Sequence, residues 1–339
     1  MKRFVLKQNG DGCAEIVSDE CDLLPPAPGE VEVRMEACSL NYRDLLIKSG
    51  LSASGGEGEV VPLSDGAGII SALGEGVERF KLGDRVALTF FRDWEDGPFE
   101  MRYHKAARGG SCDGVLAESV LAPAHSVVKV PDHLTTLEAA TLPCAALTAW
   151  HALMERSRPV APGDTVLCLG TGGVSIFALQ IAKAAGAKVF ITSSSDRKLA
   201  RAEELGADAG INYLKHVAWD EQVKDLTDGR GVDRVIEVGG PGTIERSIGA
   251  VAVGGAISLI GVLTGFESSH LGLFPLVTHN ADLSGIYVGS RAMFERMSAF
   301  LAQYRIRPFI DEEFAFENSL KAYAAMKDAG HFGKLVVTI

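Results

Sequence analysis

A chain of 339 residues has room for one or two cored domains, and two suit its length better. Its 33 Lys and Arg against 44 Asp and Glu leave a net charge of −11, so no broad basic face is available for sequence-independent nucleic-acid binding. The opening MKRFVLKQNG lacks the apolar core of a secretory signal, the longest apolar region (250–266) is broken by Gly254, Gly255 and Gly261, and the six cysteines form no C-x-x-C pair. These features predict a reduced, cytoplasmic protein without a membrane span.

In chain order, residues 1–145 read as short strands, turns and loops. Residues 30–36 alternate polar with apolar as a half-buried strand does, and 41–49 have helical spacing with Leu45, Leu46 and Ile47 toward a core. Gly66, Gly68, Gly74, Gly76 and Gly83 punctuate a strand-rich stretch. Residues 92–114 form a long polar loop, flanked and threaded by Phe90, Phe91, Trp94, Phe99 and Tyr103. These aromatics either roof an apolar pocket or anchor the loop. From about Pro159 strands alternate with helices: strand 165–169, helix 173–185, strand 188–192, helix 196–205, strand 209–213, helix 217–226, strand 232–238, helix 243–252 and strand 256–260. This rhythm predicts a doubly wound parallel sheet. A strand at 283–288, helices at 292–304 and 318–328, and a terminal strand at 334–339 complete the reading.

The most informative segment is 165–195, TVLCLGTGGVSIFALQIAKAAGAKVFITSSS. An apolar strand breaks into Gly170, Thr171, Gly172, Gly173, Val174 and Ser175, and an amphipathic helix follows. This is the βαβ unit that holds a dinucleotide's pyrophosphate. Gly170 permits the tight turn, Gly172 lets backbone approach the phosphates, and the helix opening near Gly173 aims free N–H groups at the anion. The third glycine of G-x-G-x-x-G is Ser175, whose hydroxyl bonds either a phosphate or the preceding turn.

The segments SLNYRDLLIKSG (39–50), SDGAGII (64–70), GDRV (83–86), AATLPCAALTAWHAL (139–153), GTGGVS (170–175), LGADAGINY (205–213), GVDRVIEVGG (231–240) and FGKLVV (332–337) occur in one order over nearly the whole chain. Together they resemble the medium-chain dehydrogenase/reductase superfamily, and most closely its zinc-free quinone-oxidoreductase-like and alcohol-dehydrogenase-like branch. The resemblance implies an α/β fold. A GroES-like β-rich catalytic domain (1–145) would be followed by a Rossmann dinucleotide-binding domain (146–290) and a C-terminal return to the catalytic domain (291–339), with nicotinamide and substrate between the domains. It further implies a homodimer formed edge to edge through the strand near 283–288, where an apolar strand would otherwise be exposed.

The zinc-dependent members carry three soft or imidazole ligands. Here the first position is Asn41, the second is Ser64 before Asp65, and only Cys144 matches. The four-cysteine structural-zinc lobe is also missing, since the loop at 92–114 holds Cys112 alone. Amide and hydroxyl oxygens are poor substitutes, so no zinc is expected. Hydride transfer would then rely on orientation and hydrogen-bond donors. Asn41, Tyr42 and Arg43 are the candidate catalytic residues. Asn41 also belongs to the candidate cofactor contacts. Tyr42 is either a proton donor or a packed aromatic, and Asp44 is expected to brace the turn against Arg43.

Where NAD-specific enzymes place a carboxylate on the ribose, this chain has Ser193, followed by Ser194, Ser195, Asp196, Arg197 and Lys198. Loss of that carboxylate, with hydroxyl and cationic donors in its place, predicts NADP(H) over NAD(H). Lys198 and Tyr213 match positions that bind the 2′-phosphate in the quinone-reductase branch. The resemblance adds Thr148, Gly239, Gly261, Val262, Leu263, Val288, Gly289 and Ser290 to the cofactor contacts, and gives Lys334 the pyrophosphate. The function expected is a zinc-independent NADP(H) oxidoreductase acting on a small or medium carbonyl compound. Its competitors are a zinc-dependent alcohol dehydrogenase using Cys144 and Asp65, and a non-catalytic NADPH-binding sensor or interaction protein.

Overall fold

The computed structural model describes residues 1–8, 13–51, 59–156, 158–267 and 271–339. They divide into two compact units, one of Met1–Leu147 with Val288–Ile339 and one of Thr148–Tyr287.

The first unit is built on a seven-stranded sheet. Its path runs Ile310–Ala315, Lys334–Thr338, Glu30–Ser39, Asp65–Leu73, Arg85–Leu88 and Val127–Lys129, and Ser119–Pro123 also pairs with Glu30–Ser39. An antiparallel hairpin of Lys2–Gln8 and Ala14–Glu20 stands beside it. Val31, Val33, Met35, Ile70, Val86, Leu88, Leu335 and Val337 form the core of this β-rich unit. Apolar residues at every second position of Glu30–Ser39 point to that core, as a pleated strand requires. The parallel pair Ile310–Ala315 with Lys334–Thr338 places the C-terminal segment in this sheet. Val336 then pairs with Ser39, and Ser39 with Asp65. This register brings Asn41, Asp65 and Lys334 to one end of three neighbouring strands.

The second unit is a six-stranded sheet in the spatial order Ala209–Asn212, Lys188–Ser193, Thr165–Cys168, Val232–Glu237, Val251–Leu259, Asp282–Gly285. Every neighbouring pair is parallel. Counted in chain order this is 3-2-1-4-5-6, the doubly wound Rossmann arrangement. The first strand and the buried face of the helix Gly173–Ala184 are apolar because parallel strands are covered on both faces.

Several elements differ from the sequence reading. The helix expected over 243–252 ends at Ala250, and Val251–Leu259 is one long strand with a register shift after Val232. Gly254 at φ +73° lies in the bulge of this strand, between the expected helix end at 252 and the expected strand start at 256. The strand expected over 283–288 stops at Gly285, and Val288 takes φ +51°. No strand was expected at 310–315, where charged Glu312 and Glu313 mask the alternation of an edge strand.

Candidate functional site

In the first unit the candidate catalytic residues lie where a strand ends and a short helix begins. Asn41 is the N-cap of the helix Tyr42–Lys48, with extended backbone at φ −133°. The Asn41 N–H donates to Asp44 Oδ2 at 2.7 Å, so the carboxylate satisfies a backbone donor at the helix start. Asp44 is buried. Dehydration raises its carboxyl to about 6, against the opposing pull of the neighbouring Arg43 guanidinium. Arg43 Nη1 donates to the Arg108 carbonyl at 2.8 Å, and the guanidinium lies 4.4 Å above the Phe90 ring centroid. Arg43 is thus held as a brace. Tyr42 is the first helical residue and is exposed.

The Asn41 side chain is buried. Its Oδ1 accepts from Lys334 Nζ at 2.7 Å, and its Nδ2 has no partner among the described residues. Lys334 is 2% exposed and also donates to the Leu40 carbonyl at 2.6 Å. Its third neighbour is Asp65 Oδ2 at 3.6 Å. Asp65 is completely buried, accepting from Ser64 Oγ at 2.7 Å, Ser39 Oγ at 3.4 Å and the Cys144 N–H at 3.3 Å. Of the positions that bear on metal binding, Asn41 and Asp65 face the Lys334 ammonium, while Ser64 and the Cys144 N–H bond Asp65. Among the described residues no group of three His, Cys, Asp or Glu side chains is arranged to hold a metal ion. Burial, and Asp65 beside it, push the Cys144 thiol far above the usual thiol range.

The Lys334 ammonium, expected at the pyrophosphate, is directed into this buried cluster. Val288 and Gly289 meet Ser290, the N-cap of the helix Arg291–Tyr304, whose Oγ accepts from the Met293 N–H at 3.2 Å. A Cβ on Gly289 would lie 2.8 Å from Leu147 Cγ, so only glycine fits there. Val288 at φ +51° is a β-branched residue in a conformation such residues avoid, a form of strain that clusters at functional sites. The aromatics near 92–114 pack on one another, with Trp94 stacked on Tyr103 at 5.9 Å and edge-on to Phe91 at 5.8 Å. Phe90, Phe91, Trp94 and Tyr103 are buried, and the Trp94 and Glu95 carbonyls accept from the N–H groups of Arg291 and Ala292. Anchoring is what these rings do.

In the second unit the glycine turn has the form a dinucleotide needs. Gly170 sits at φ +71°, and its N–H donates to Thr192 Oγ1 at 3.1 Å. Gly172 is the N-cap of the helix Gly173–Ala184, and a Cβ built on it meets no atom within 4 Å. The protein's own packing does not demand glycine there, whereas close approach of a phosphate does. Thr171 is buried in the turn, and Gly173 and Val174 open the helix. The Ser175 hydroxyl donates to the Leu169 carbonyl at 2.6 Å, so it bonds the preceding turn.

At the end of the second strand, Ser193 Oγ accepts from the Ser195 N–H at 3.3 Å, and the Tyr213 N–H donates to the Ser193 carbonyl at 3.1 Å. Ser195 caps the next helix by accepting from the Lys198 N–H, in the first turn of Asp196–Glu204. Asp196 accepts from Asn212 Nδ2 at 2.7 Å and Lys215 Nζ at 2.6 Å, and both hold its carboxyl below the ordinary carboxylate range. Sequence reasoning missed Asn212 and Lys215, although both lie within two residues of Tyr213.

It also missed Glu237. This buried carboxylate ends the strand Val232–Glu237, and its Oε1 accepts from the N–H groups of Gly239 (2.7 Å) and Gly240 (3.0 Å) and from Thr243 Oγ1 (2.6 Å). Its Oε2 accepts from Ser247 Oγ. Thr264 Oγ1 donates to the Gly239 carbonyl at 2.8 Å and accepts from the Gly242 N–H at 2.7 Å, which ties the Gly261, Val262 and Leu263 turn to the Gly239 turn. A Cβ on Gly261 would fall 2.0 Å from the Val238 carbonyl oxygen. Thr148 is buried in the helix Leu147–Met154. An acidic residue ending an apolar run just before two glycines is the signal that marks Glu237.

Comparison with known proteins agrees with both units. Residues 27–132 match the model of the alcohol dehydrogenase GroES-like domain, and 173–303 match that of the zinc-binding dehydrogenases. A zinc-type alcohol dehydrogenase-like protein of Schizosaccharomyces pombe is 43% identical over 99% of both chains. An alcohol dehydrogenase of Geobacillus stearothermophilus is 30% identical over 92% of each. A crystal structure from Sinorhizobium meliloti 1021 described as an alcohol dehydrogenase superposes with a TM-score of 0.91 at 40% identity over all of both chains. With the glycine turn, the parallel sheet and the β-rich unit all in place, this chain belongs to the medium-chain dehydrogenase/reductase superfamily, among the zinc-type alcohol dehydrogenase-like proteins, and is an NAD(P)-dependent oxidoreductase.

Proposed function

We propose that this enzyme is a zinc-independent, NADP(H)-dependent oxidoreductase that moves hydride between the nicotinamide and a small or medium carbonyl compound: a quinone, an α,β-unsaturated aldehyde or ketone, or an alcohol–aldehyde pair. One observation carries the zinc-independent part. The Lys334 ammonium stands 2.7 Å from Asn41 Oδ1 and 3.6 Å from Asp65 Oδ2, so two of the donors a metal would need already face a cation. A second cation at these donors meets like charge, and the amide and hydroxyl oxygens around it are weak zinc ligands.

The Gly170–Gly172 turn and the first turn of Gly173–Ala184 would hold the pyrophosphate, and the bound nicotinamide supplies the hydride chemistry. Asn41 Nδ2 serves the substrate: it donates to the carbonyl oxygen as the C=O electron pair moves onto that oxygen, a charge best met by a donor fixed in advance. The Tyr42 phenol, exposed beside it, returns the proton and is itself reprotonated from water. In the oxidising direction the same groups act in reverse.

NADP(H) is favoured by the absence of a carboxylate at Ser193, by the neighbouring Ser194 and Tyr213, by the cationic Lys198 in the first turn of the helix that follows, and by the pairing of Asp196 with Lys215, which offsets its charge. A homodimer is favoured by the strand Asp282–Gly285, which among the described residues ends the sheet, and by the exposed Phe274 and Val277 on the preceding helix. Six scattered cysteines with no C-x-x-C pair suit a reducing cytoplasm, and among the described residues no helix is long and apolar enough to cross a membrane.

The test is steady-state NADPH oxidation with 1,4-benzoquinone, trans-2-hexenal and hexanal. Turnover of one or more supports the reading. Tight NADPH binding with no turnover of any overturns it in favour of a sensor.

A further inference from the structure

An amide has two chemically opposite ends, and which end faces a ligand is set by what holds the other. An ammonium can only donate, so the atom of Asn41 lying 2.7 Å from Lys334 Nζ has to be its oxygen. The backbone N–H of Asn41 is meanwhile fixed to Asp44 Oδ2 at 2.7 Å. With oxygen and backbone both tied, the NH2 end is turned away from Lys334, and it is buried without a partner among the described residues. A buried amide NH2 is costly to leave unpaired, and such groups are kept where a ligand satisfies them.

Lys334 is held in turn. Its ammonium donates to the Leu40 carbonyl, and Asp65 lies 3.6 Å away with its oxygens supported by Ser64, Ser39 and the Cys144 N–H. The chain of contacts Asp65–Lys334–Asn41 is buried throughout and ends on one unsatisfied donor.

We propose that Lys334, kept in place by Asp65, is a positioning residue for hydride transfer, a role that rests on Asn41 being the donor to substrate in the proposed function. Lys334 locks the Asn41 amide with its carbonyl toward the ammonium and its NH2 toward a carbonyl oxygen of the ligand. Two oxygens share that chemistry, the substrate carbonyl and the nicotinamide carboxamide, and the substrate carbonyl is the partner we assign.

The experiment uses purified full-length enzyme, saturated with NADPH, and whichever of 1,4-benzoquinone, trans-2-hexenal or hexanal it reduces fastest. The variants are Asn41→Ala, Lys334→Met, the charge-neutral pair Lys334→Met with Asp65→Asn, and the pair combined with Asn41→Ala. The neutral pair avoids leaving a buried carboxylate without its cation. NADPH dissociation constants are measured separately by fluorescence. The neutral pair is expected to lower kcat by about 30-fold and Asn41→Ala by about 100-fold. The NADPH dissociation constant stays within about twofold, and the combined variant is no slower than Asn41→Ala alone, because both changes remove one interaction.

An unchanged kcat in the neutral pair, or losses that multiply in the combined variant, overturns the proposal. So does a tenfold weaker NADPH complex with kcat intact, which would assign Lys334 to the cofactor. If Asn41→Ala itself is fully active, the donor reading fails as well. If only Asn41→Ala is slow, the donor reading stands and the positioning role alone is lost.

Discussion

The ammonium of Lys334 lies 2.7 Å from the amide oxygen of Asn41, a residue 293 positions earlier in the chain. The C-terminal strand Lys334–Thr338 pairs with Glu30–Ser39, which pairs with Asp65–Leu73, and the three strand ends deliver Lys334, Asn41 and Asp65 to one point. Buried cation, buried carboxylate and buried amide are thereby made interdependent. This cluster and the dinucleotide unit both have measurable consequences.

A first prediction concerns pH. Burial raises the Asp44 carboxyl from 3.8 to about 6, so the folded state holds a proton that the unfolded chain has released. The folded pKa is raised, so this group's stabilising contribution is complete below about pH 4 and is lost as pH rises through about 6. A shift of that size corresponds to roughly 3 kcal/mol at most. Urea unfolding of wild type and Asp44→Asn between pH 4 and 7 should show the variant losing less stability over this range. Parallel curves would mean that Asp44 does not titrate there.

A second concerns the glycine turn. A Cβ on Gly172 meets no protein atom, and its φ of −78° suits alanine. Gly172→Ala should therefore leave the thermal midpoint within a degree or two while weakening NADPH binding by about tenfold or more, since the methyl group takes the space needed by the pyrophosphate. Differential scanning fluorimetry and fluorescence titration give the two numbers. Unchanged binding would place the phosphates elsewhere.

These two sites were legible in the sequence to different degrees. GTGGVS after an apolar run announces its own function because turn, helix start and phosphate contact are all local. The Asn41–Tyr42–Arg43 segment was found by resemblance, and its direction was not. Whether Lys334 points to a phosphate or to Asn41 depends on strand pairing between residues hundreds of positions apart, which no local pattern encodes. Glu237 was overlooked because a carboxylate inside VDRVIEVGG looks like one polar residue in a strand, and its four donors are visible only once the Gly239 turn and the helix Ile244–Ala250 fold back over it. The positive φ of Val288 has no sequence signal, because valine is the residue least expected there.

Glu237 supplies the third prediction. Glu237→Ala strands buried N–H groups of Gly239 and Gly240 and two hydroxyls, and should cost about 3 kcal/mol or more of stability. Glu237→Gln keeps one carbonyl acceptor for the Gly239 and Gly240 N–H groups and should cost about half as much. Denaturant midpoints distinguish them. A loss below about 1 kcal/mol for the alanine variant would show that the two turns hold without the carboxylate.

The fourth concerns the cofactor. Ser193→Asp introduces a carboxylate beside Ser195 and Tyr213, where it would repel a 2′-phosphate and accept from ribose hydroxyls. NADPH affinity should fall by about 30-fold or more while NADH affinity rises, inverting the preference. An unaltered ratio of the two dissociation constants would remove Ser193 from the ribose site.

The buried Lys334 ammonium faces Asn41 Oδ1 and Asp65 Oδ2, and zinc-independent turnover is the part of the proposed function that this contact bears on most directly. It is measured as NADPH-dependent reduction by protein that has been exhaustively treated with a chelator, with metal content determined on the same sample. Full activity is expected at less than about 0.05 zinc per chain, with no gain when zinc is added back, because Lys334 and Asp65 already satisfy one another. Activity that disappears with the metal and returns with one equivalent of zinc would contradict the role given to Lys334.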